Sequence, residues 1–229
     1  MICILYAIEE EISRIDAAMT ESRIVPHAWA QIKQGKLGLH EICLIKSGAG
    51  KVLSTMTAQS IISRFAPRLI ILWGVSGALN PAYERGDLVL GKDFIQHDIT
   101  TEFFGFEPGQ VPFTDYKIIP AHLEMQNHAQ HLKLPDATVH TGRILSGDQF
   151  IFGTKGAQLR DQFEGDVVDM ESAAIAFVCH LNQIPFVVAR TISDKADHTA
   201  ADDFGDFLQH ASQHVITFVE HMLRYSPAQ

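Results

Sequence analysis

The chain has 229 residues, and its 18 Lys+Arg against 27 Asp+Glu give a formal net charge of −9 at pH 7. Set against a typical ~150 residues per domain, this length fits one large domain better than two small ones, and 46% hydrophobic with 20% charged residues excludes a disordered chain. The negative charge repels phosphate backbones and anionic lipid, which argues against nucleic-acid and membrane-surface partners. There is no apolar run of about 18 residues and no basic segment leading into an apolar stretch with a cleavage site, so a soluble, cytoplasmic protein is expected. Cys3, Cys43 and Cys179 are odd in number and set mostly among Ile, Val and Leu, as buried free thiols would be.

Residues 2–7 form a first β-rich run, followed by helical spacing over 9–18. A second run at 41–46 precedes a helix over 52–65, and a third at 69–73 is continuously apolar, as expected of a strand covered on both faces. The run at 87–95 leads into an irregular stretch, 97–120, which includes Phe103, Phe104 and Phe106 and is too aromatic for a solvated linker. Helical spacing follows at 122–132, then a run at 139–145, a helix at 155–163, a run at 166–169, a helix at 172–181 and an apolar run at 185–192. Residues 203–224 read as one long closing helix. This alternation specifies an α/β fold: a single domain, 1–229, with a largely parallel, mixed central sheet flanked by helices.

Ligands of open α/β sheets bind beyond the carboxyl ends of the strands, so the residues after each run are read as one surface. They are Glu9-Glu10-Glu11, Ser47-Gly48-Ala49-Gly50-Lys51, Gly74-Val75-Ser76-Gly77, Ser146-Gly147-Asp148-Gln149-Phe150, Asp169-Met170-Glu171 and Ser193-Asp194. Three strand ends present carboxylates and two present glycine turns, the makings of a pocket with acid and base groups. Plainer roles stay open. Glu9 and Glu10 suit the first turn of a helix, Glu11 suits solvated surface, Asp194 suits a helix N-cap, and Ser146-Gly147-Asp148 is an ordinary turn. Glu171 precedes Ala173, Ala174 and Ala176, where a helix must pack closely and an idle carboxylate is costly.

Other motifs fail. Gly50-Lys51 lacks the Gly and Ser/Thr of a phosphate-binding loop at positions 45 and 52, Gly74 to Ala78 lacks the last glycine of a nucleophile elbow, and no GxGxxG follows a strand. His210, His214 and His221 fall near one face of the predicted closing helix but lack a carboxylate signature, so no metal site is assigned and no cofactor is expected.

Residues Ala7 to Glu11, Lys46 to Val52, Ser146 to Ile151, Val168 to Glu171 and Val188 to Asp194, in this order and spacing, resemble the bacterial 5′-methylthioadenosine/S-adenosylhomocysteine nucleosidases of the purine nucleoside phosphorylase/uridine phosphorylase superfamily. The resemblance runs through Phe204 to Leu208. It implies a nucleoside phosphorylase-like fold and hydrolysis of the bond between adenine and a 5′-thio-substituted ribose, without cofactor. Asp194 would protonate adenine N7, Glu11 would activate the water, and Glu171 would grip the ribose hydroxyls beside Asp169 and Met170, with Arg190 orienting Glu171. Phe150 would stack on the purine, the Ile151 backbone would read its edge, and Ser193 would orient Asp194. Ile8, Ala49 and Phe204 match positions around the 5′ group, and Val75 and Gly77 match substrate-binding positions of the glycine turn. Thr101, Phe104 and Pro112 fall where the aromatic loop of one subunit closes its neighbour's site, which implies a homodimer.

Two departures from the family pattern stand out. Gly74-Val75-Ser76-Gly77 replaces a Gly-Ser-Ala-Gly turn, so a pocket hydroxyl is expected to be lost; Ala49 replaces a larger aliphatic residue, which should enlarge the 5′ pocket for homocysteine or the aromatic ring of a futalosine-type nucleoside. Aminodeoxyfutalosine hydrolysis is thus one alternative. A phosphate-dependent phosphorylase is another, disfavoured because Glu9 to Glu11 and Leu72-Trp73 stand where such enzymes carry arginines. A non-catalytic nucleoside sensor would have little use for Glu11, Glu171 and Asp194 together.

Overall fold

The computed structural model describes residues 1–27 and 29–225; the expected domain limits, 1–229, run past it at the C-terminal end. Its strands are β1 (Ile2–Tyr6), β2 (Thr20–His27), β3 (Ala30–Leu37), β4 (His40–Lys46), β5 (Leu69–Ala78), β6 (Leu88–Gln96), β7 (Ile119–Pro120), β8 (Val139–Ser146), β9 (Val167–Asp169) and β10 (Phe186–Asp194). Its helices are α1 (Ser13–Ala18), α2 (Lys51–Phe65), α3 (Leu123–Ala129), α4 (Lys155–Phe163), α5 (Ser172–Leu181), α6 (Ala200–Phe207) and α7 (Val215–Leu223). The α/β class and the mixed sheet are as the alternating runs specify. β1 pairs in parallel with β4 and β5, β5 with β10, and β8 with β6 and β9, while β9–β5 and β6–β10 are antiparallel. The circuit β5-β10-β6-β8-β9 therefore closes on itself, and β1, β4, β3 and β2 extend from β5 as a wing. None of the described helices is long and apolar enough to cross a membrane.

The core follows from strand periodicity. In β1, Cys3 and Leu5 pack toward one face and Ile2, Ile4 and Tyr6 toward the other. The first face is covered by Ala58, Ile61 and Ile62 of α2 and Ala173, Ile175 and Ala176 of α5. The second is covered by Ile15 of α1, Met125 and Ala129 of α3, and Val215, Phe218 and Val219 of α7. Both sides of the central strands are buried, hence their unbroken apolar runs.

Four expectations change. The hairpin β2–β3 was not foreseen, because β2 is an exposed edge strand with few apolar residues and no continuous run. Gly74 to Gly77 is not a turn but the second half of β5, hydrogen-bonded to β10 and β9. Residues 9–18 begin as a 3-10 turn, Glu9–Ile12, before α1. The closing helix is broken: α6 gives way to a 3-10 turn at Leu208–His210, and α7 begins only at Val215. The three histidines are thus on no common helix; His214 lies 3.7 Å from Asp136, and His221 stacks on His128 at 4.5 Å between ring centroids.

Candidate active site

One cavity of about 130 Å³, open to solvent, gathers Glu11, Glu171 and Asp194 at the carboxyl ends of β1, β9 and β10. All three are buried. The Glu9–Ile12 turn folds Glu11 back over the end of β1, so its Oε2 accepts hydrogen bonds from the backbone N–H of Ala7 (2.8 Å) and Ile8 (3.1 Å), while Oε1 accepts from Val75 (3.1 Å). Burial pushes this carboxyl above its ordinary range, opposed by the positive charge of Arg190 and the three N–H donors.

Glu171 heads α5, but its side chain makes no cap and turns into the cavity instead. Oε1 accepts from the Gly50 N–H at 2.9 Å, and Oε2 lies 3.3 Å from Arg190 Nη2. Burial raises its pKa to about 7, with Arg190 pulling down and Asp169 and Glu11 pushing up. Arg190, 1% exposed, makes its shorter ion pair with Asp169: Nε to Oδ2 at 2.7 Å. Asp169 also accepts from Ser146 Oγ (2.5 Å) and from the Ser172 hydroxyl and N–H. Arg190 thus lies between two carboxylates and holds Asp169 more closely than the Glu171 it was expected to orient. Gly74 makes room for this group, since a Cβ there would stand 1.9 Å from Arg190 Nη1 and 2.7 Å from Glu11 Oε1.

A bulge between Ile192 and Asp194 re-aims the end of β10. Asp194 Oδ1 accepts from the Ala196 N–H at 2.8 Å, and the Ser193 hydroxyl donates to Oδ2 at 2.7 Å, also lying 3.2 Å from the Ser76 carbonyl. Burial raises the Asp194 pKa; Ser193 and Ala196 act the other way. Asp194 is not a helix N-cap, because Thr199 precedes α6.

Ile8, Ala49, Val75, Gly77, Phe150, Ile151, Asp169, Met170, Ser193 and Phe204 also line the cavity. Phe150 and Phe204 meet edge to face at 5.7 Å between centroids. Arg190 lies behind the wall, and Thr101, Phe104 and Pro112 are not among the lining residues. The sequence reading did not single out Ser146 and Ser172, which fasten Asp169, or Ser76, whose buried hydroxyl lines the cavity. For Ser146 the signal was present in Ser-Gly-Asp, which also reads as a turn. Among the described residues, no Lys, Arg or His lines the cavity, and no cluster of ligating side chains could hold a metal ion.

This fold and its buried acidic cavity fall in a known class: over residues 1–224 the chain matches the model of the family described as Phosphorylase superfamily. A 5′-methylthioadenosine/S-adenosylhomocysteine nucleosidase of Staphylococcus haemolyticus (strain JCSC1435) is 33% identical over 233 residues, covering 98% of this chain and 99% of that one. The crystal structure of the nucleosidase of the same name from Neisseria meningitidis, in complex with methylthio-immucillin-A, superposes with a TM-score of 0.91 at 30% identity, covering 97% of this chain and 98% of that one. Futalosine hydrolase of Helicobacter pylori strain 26695 superposes at 0.89, also 30% identical, covering 97% of this chain and 96% of that one. The chain belongs to the Phosphorylase superfamily and, within it, to the 5′-methylthioadenosine/S-adenosylhomocysteine nucleosidase family of N-glycosyl hydrolases.

Proposed function

We propose that the protein hydrolyses the N-glycosidic bond of methylthioadenosine and S-adenosylhomocysteine, releasing adenine and the thioribose. The carrying observation is the placing of three buried carboxylates in one cavity whose described lining has no Lys, Arg or His. Departure of a purine from ribose builds positive charge on the sugar, which carboxylates stabilise, whereas a phosphate nucleophile needs cations that this lining lacks. Asp194, whose pKa burial raises, gives its proton to N7 as the C–N bond breaks, and Ser193 orients it. Glu11, fixed by three N–H donors, takes a proton from the water that attacks the anomeric carbon. Glu171 and Met170 hold the ribose; Arg190 and Asp169 hold Glu171 in place. Phe150 covers the purine, Ile151 meets its edge, and Ile8, Ala49 and Phe204 surround the 5′ group, with Val75 and Gly77 in the floor. Ala49 at the mouth favours a second reading in which larger 5′ groups, including that of aminodeoxyfutalosine, are also accepted. Incubation with methylthioadenosine, adenosylhomocysteine, aminodeoxyfutalosine and inosine, with and without phosphate, tests these readings by chromatography of the base. Adenine release that requires phosphate would refute hydrolysis, and release from no substrate would favour a sensor.

The working unit is a homodimer in which the 97–120 loop closes the neighbour's site. Phe103, Phe104 and Phe113 are 94%, 71% and 88% exposed, and Thr101, Phe104 and Pro112 do not reach this chain's own cavity. The chain acts as one domain, and its three buried free cysteines suit the reducing cytoplasm.

A further inference from the structure

Cys3 of β1 and Cys43 of β4 are register partners on parallel strands, and both side chains lie on the sheet face that α2 covers. Paired strands run about 4.8 Å apart, so the two Cα atoms fall inside the roughly 4.4–6.8 Å that a disulfide spans. Both thiols are free, and the Met1 sulfur accepts the Cys43 S–H at 3.2 Å. Cys43, itself buried, is the thiol on the solvent side: it lines a surface cleft with Met1, Gln34 and Lys36, and Met1, its cover, is 41% exposed. Cys3 lies behind it, between Cys43 and Ile70 in the row across the sheet. Hydrogen bonding with Cys3 pulls the Cys43 thiol below its ordinary range; burial opposes this, and Gln34, whose carbonyl Arg23 holds at 3.1 Å, adds to the pull. The same contact, with burial, pushes the Cys3 thiol up. One sulfur of the pair is thus placed to attack and the other to resolve.

We propose that Cys3 and Cys43 are a reversible dithiol–disulfide pair, oxidised by hydrogen peroxide and restored by a low-molecular-weight thiol. The Cys43 thiolate, its proton given to solvent, attacks one peroxide oxygen; the O–O bond breaks, and hydroxide leaves a sulfenic acid behind. Hydroxide takes the Cys3 proton, the Cys3 sulfur attacks Cys43, and the S–O bond breaks as S–S forms, the second hydroxide being neutralised by the proton that Cys43 first released. Two thiols and one peroxide give one disulfide and two waters, the sulfurs losing the two electrons that the peroxide gains. Side chains of paired residues stand about 4.8 Å apart at Cβ, whereas a disulfide prefers about 3.8 Å, so the bridge is strained and readily reduced. Neither cysteine lines the catalytic cavity, so oxidation locks the wing to β1 without entering the site.

The test is peptide mapping by mass spectrometry of the reduced, full-length protein after a few equivalents of hydrogen peroxide and alkylation of the remaining thiols. The expected result is one linked pair of peptides, joining Cys3 to Cys43 at about 2 Da below the dithiol, with Cys179 alkylated and both thiols recovered on adding reduced glutathione. In Cys3→Ser, dimedone traps Cys43 as the sulfenic acid; in Cys43→Ser, Cys3 is oxidised at least about tenfold more slowly than Cys43 is in the wild type. The wild-type map decides the matter even where a variant does not fold. Three free thiols at a peroxide dose that already converts Met1 to its sulfoxide, a bridge to Cys179 or to a second chain, sulfinic acid at Cys43 with Cys3 still free, or a bridge that glutathione does not open would each overturn the assignment.

Discussion

At the scale of single residues, the site works by keeping carboxylates buried that elsewhere would be solvated. In its proposed role as the acid Asp194 needs a proton, and burial raises its pKa. Asp194→Asn should therefore cut kcat by about 10²–10⁴-fold while an adenosine analogue still binds, as measured by steady-state kinetics and calorimetry. Glu171 has a different signature. Its folded pKa of about 7 lies above the ordinary glutamate value of 4.5, so between these pH values the folded state holds a proton that the unfolded chain has lost. Its contribution to stability consequently falls as pH rises through that window, by at most about 1.4 kcal/mol per pH unit. Glu171→Gln should flatten the decline in melting temperature between pH 4.5 and 7, and an unchanged slope would show that another group sets it. Glu11, Glu171 and Asp194 were legible because acids beside apolar runs are conspicuous. Ser76 was not, since four residues of Gly-Val-Ser-Gly look like a turn until β10 and β9 are seen paired to them. Nor does sequence reveal that Arg190 binds Asp169 at 2.7 Å and Glu171 at 3.3 Å, a preference set by packing around Ser172.

Among the elements, β5 matters most. Its second half supplies the N–H that fixes Glu11 and the floor beneath the acid. Gly74→Ala would drive a methyl into the Arg190 guanidinium, so it should cost about 1–3 kcal/mol by denaturant titration and most of the activity. A second device ties the aromatic loop to the site. Asp98, at the root of the loop, takes Lys51 Nζ at 2.5 Å and the Asp148 N–H at 2.9 Å, and Asp148 in turn takes the Lys51 N–H at 2.7 Å. Lys51 opens α2 beside Gly50, whose N–H holds Glu171. Asp98→Asn should raise KM several-fold with a smaller effect on kcat, because the turn at Asp148 and the Gly50–Glu171 contact lose a common brace. Periodicity located the helices that cover the sheet, α2 and α5 among them, because apolar residues such as Ala58, Ile61 and Ile62 recur at helical spacing. It missed the hairpin, whose outer strand β2 is mostly exposed and pairs along the sheet edge while β3, among its described residues, buries only Ile32 and Leu37, and it ran α6 into α7 because apolar spacing continues across the break.

For the whole molecule, the closed circuit of strands brings the ends of β9 and β10 to the same rim as the turn after β1, so residues 183 positions apart, Glu11 and Asp194, share one cavity. A complete site needs a second copy on this account: sedimentation velocity should give a dimer, and Phe104→Ala should raise KM without shifting the melting temperature of a stably associated pair. The net charge of −9 argues against polyanions, and the cavity extends that argument to phosphate, since its described lining offers no cation. The most direct test is adenine release from methylthioadenosine by the purified protein in rigorously phosphate-free buffer. Hydrolysis predicts full turnover, with free methylthioribose as the sugar product and no rate gain on adding phosphate; turnover only with phosphate, yielding the sugar 1-phosphate, would contradict it.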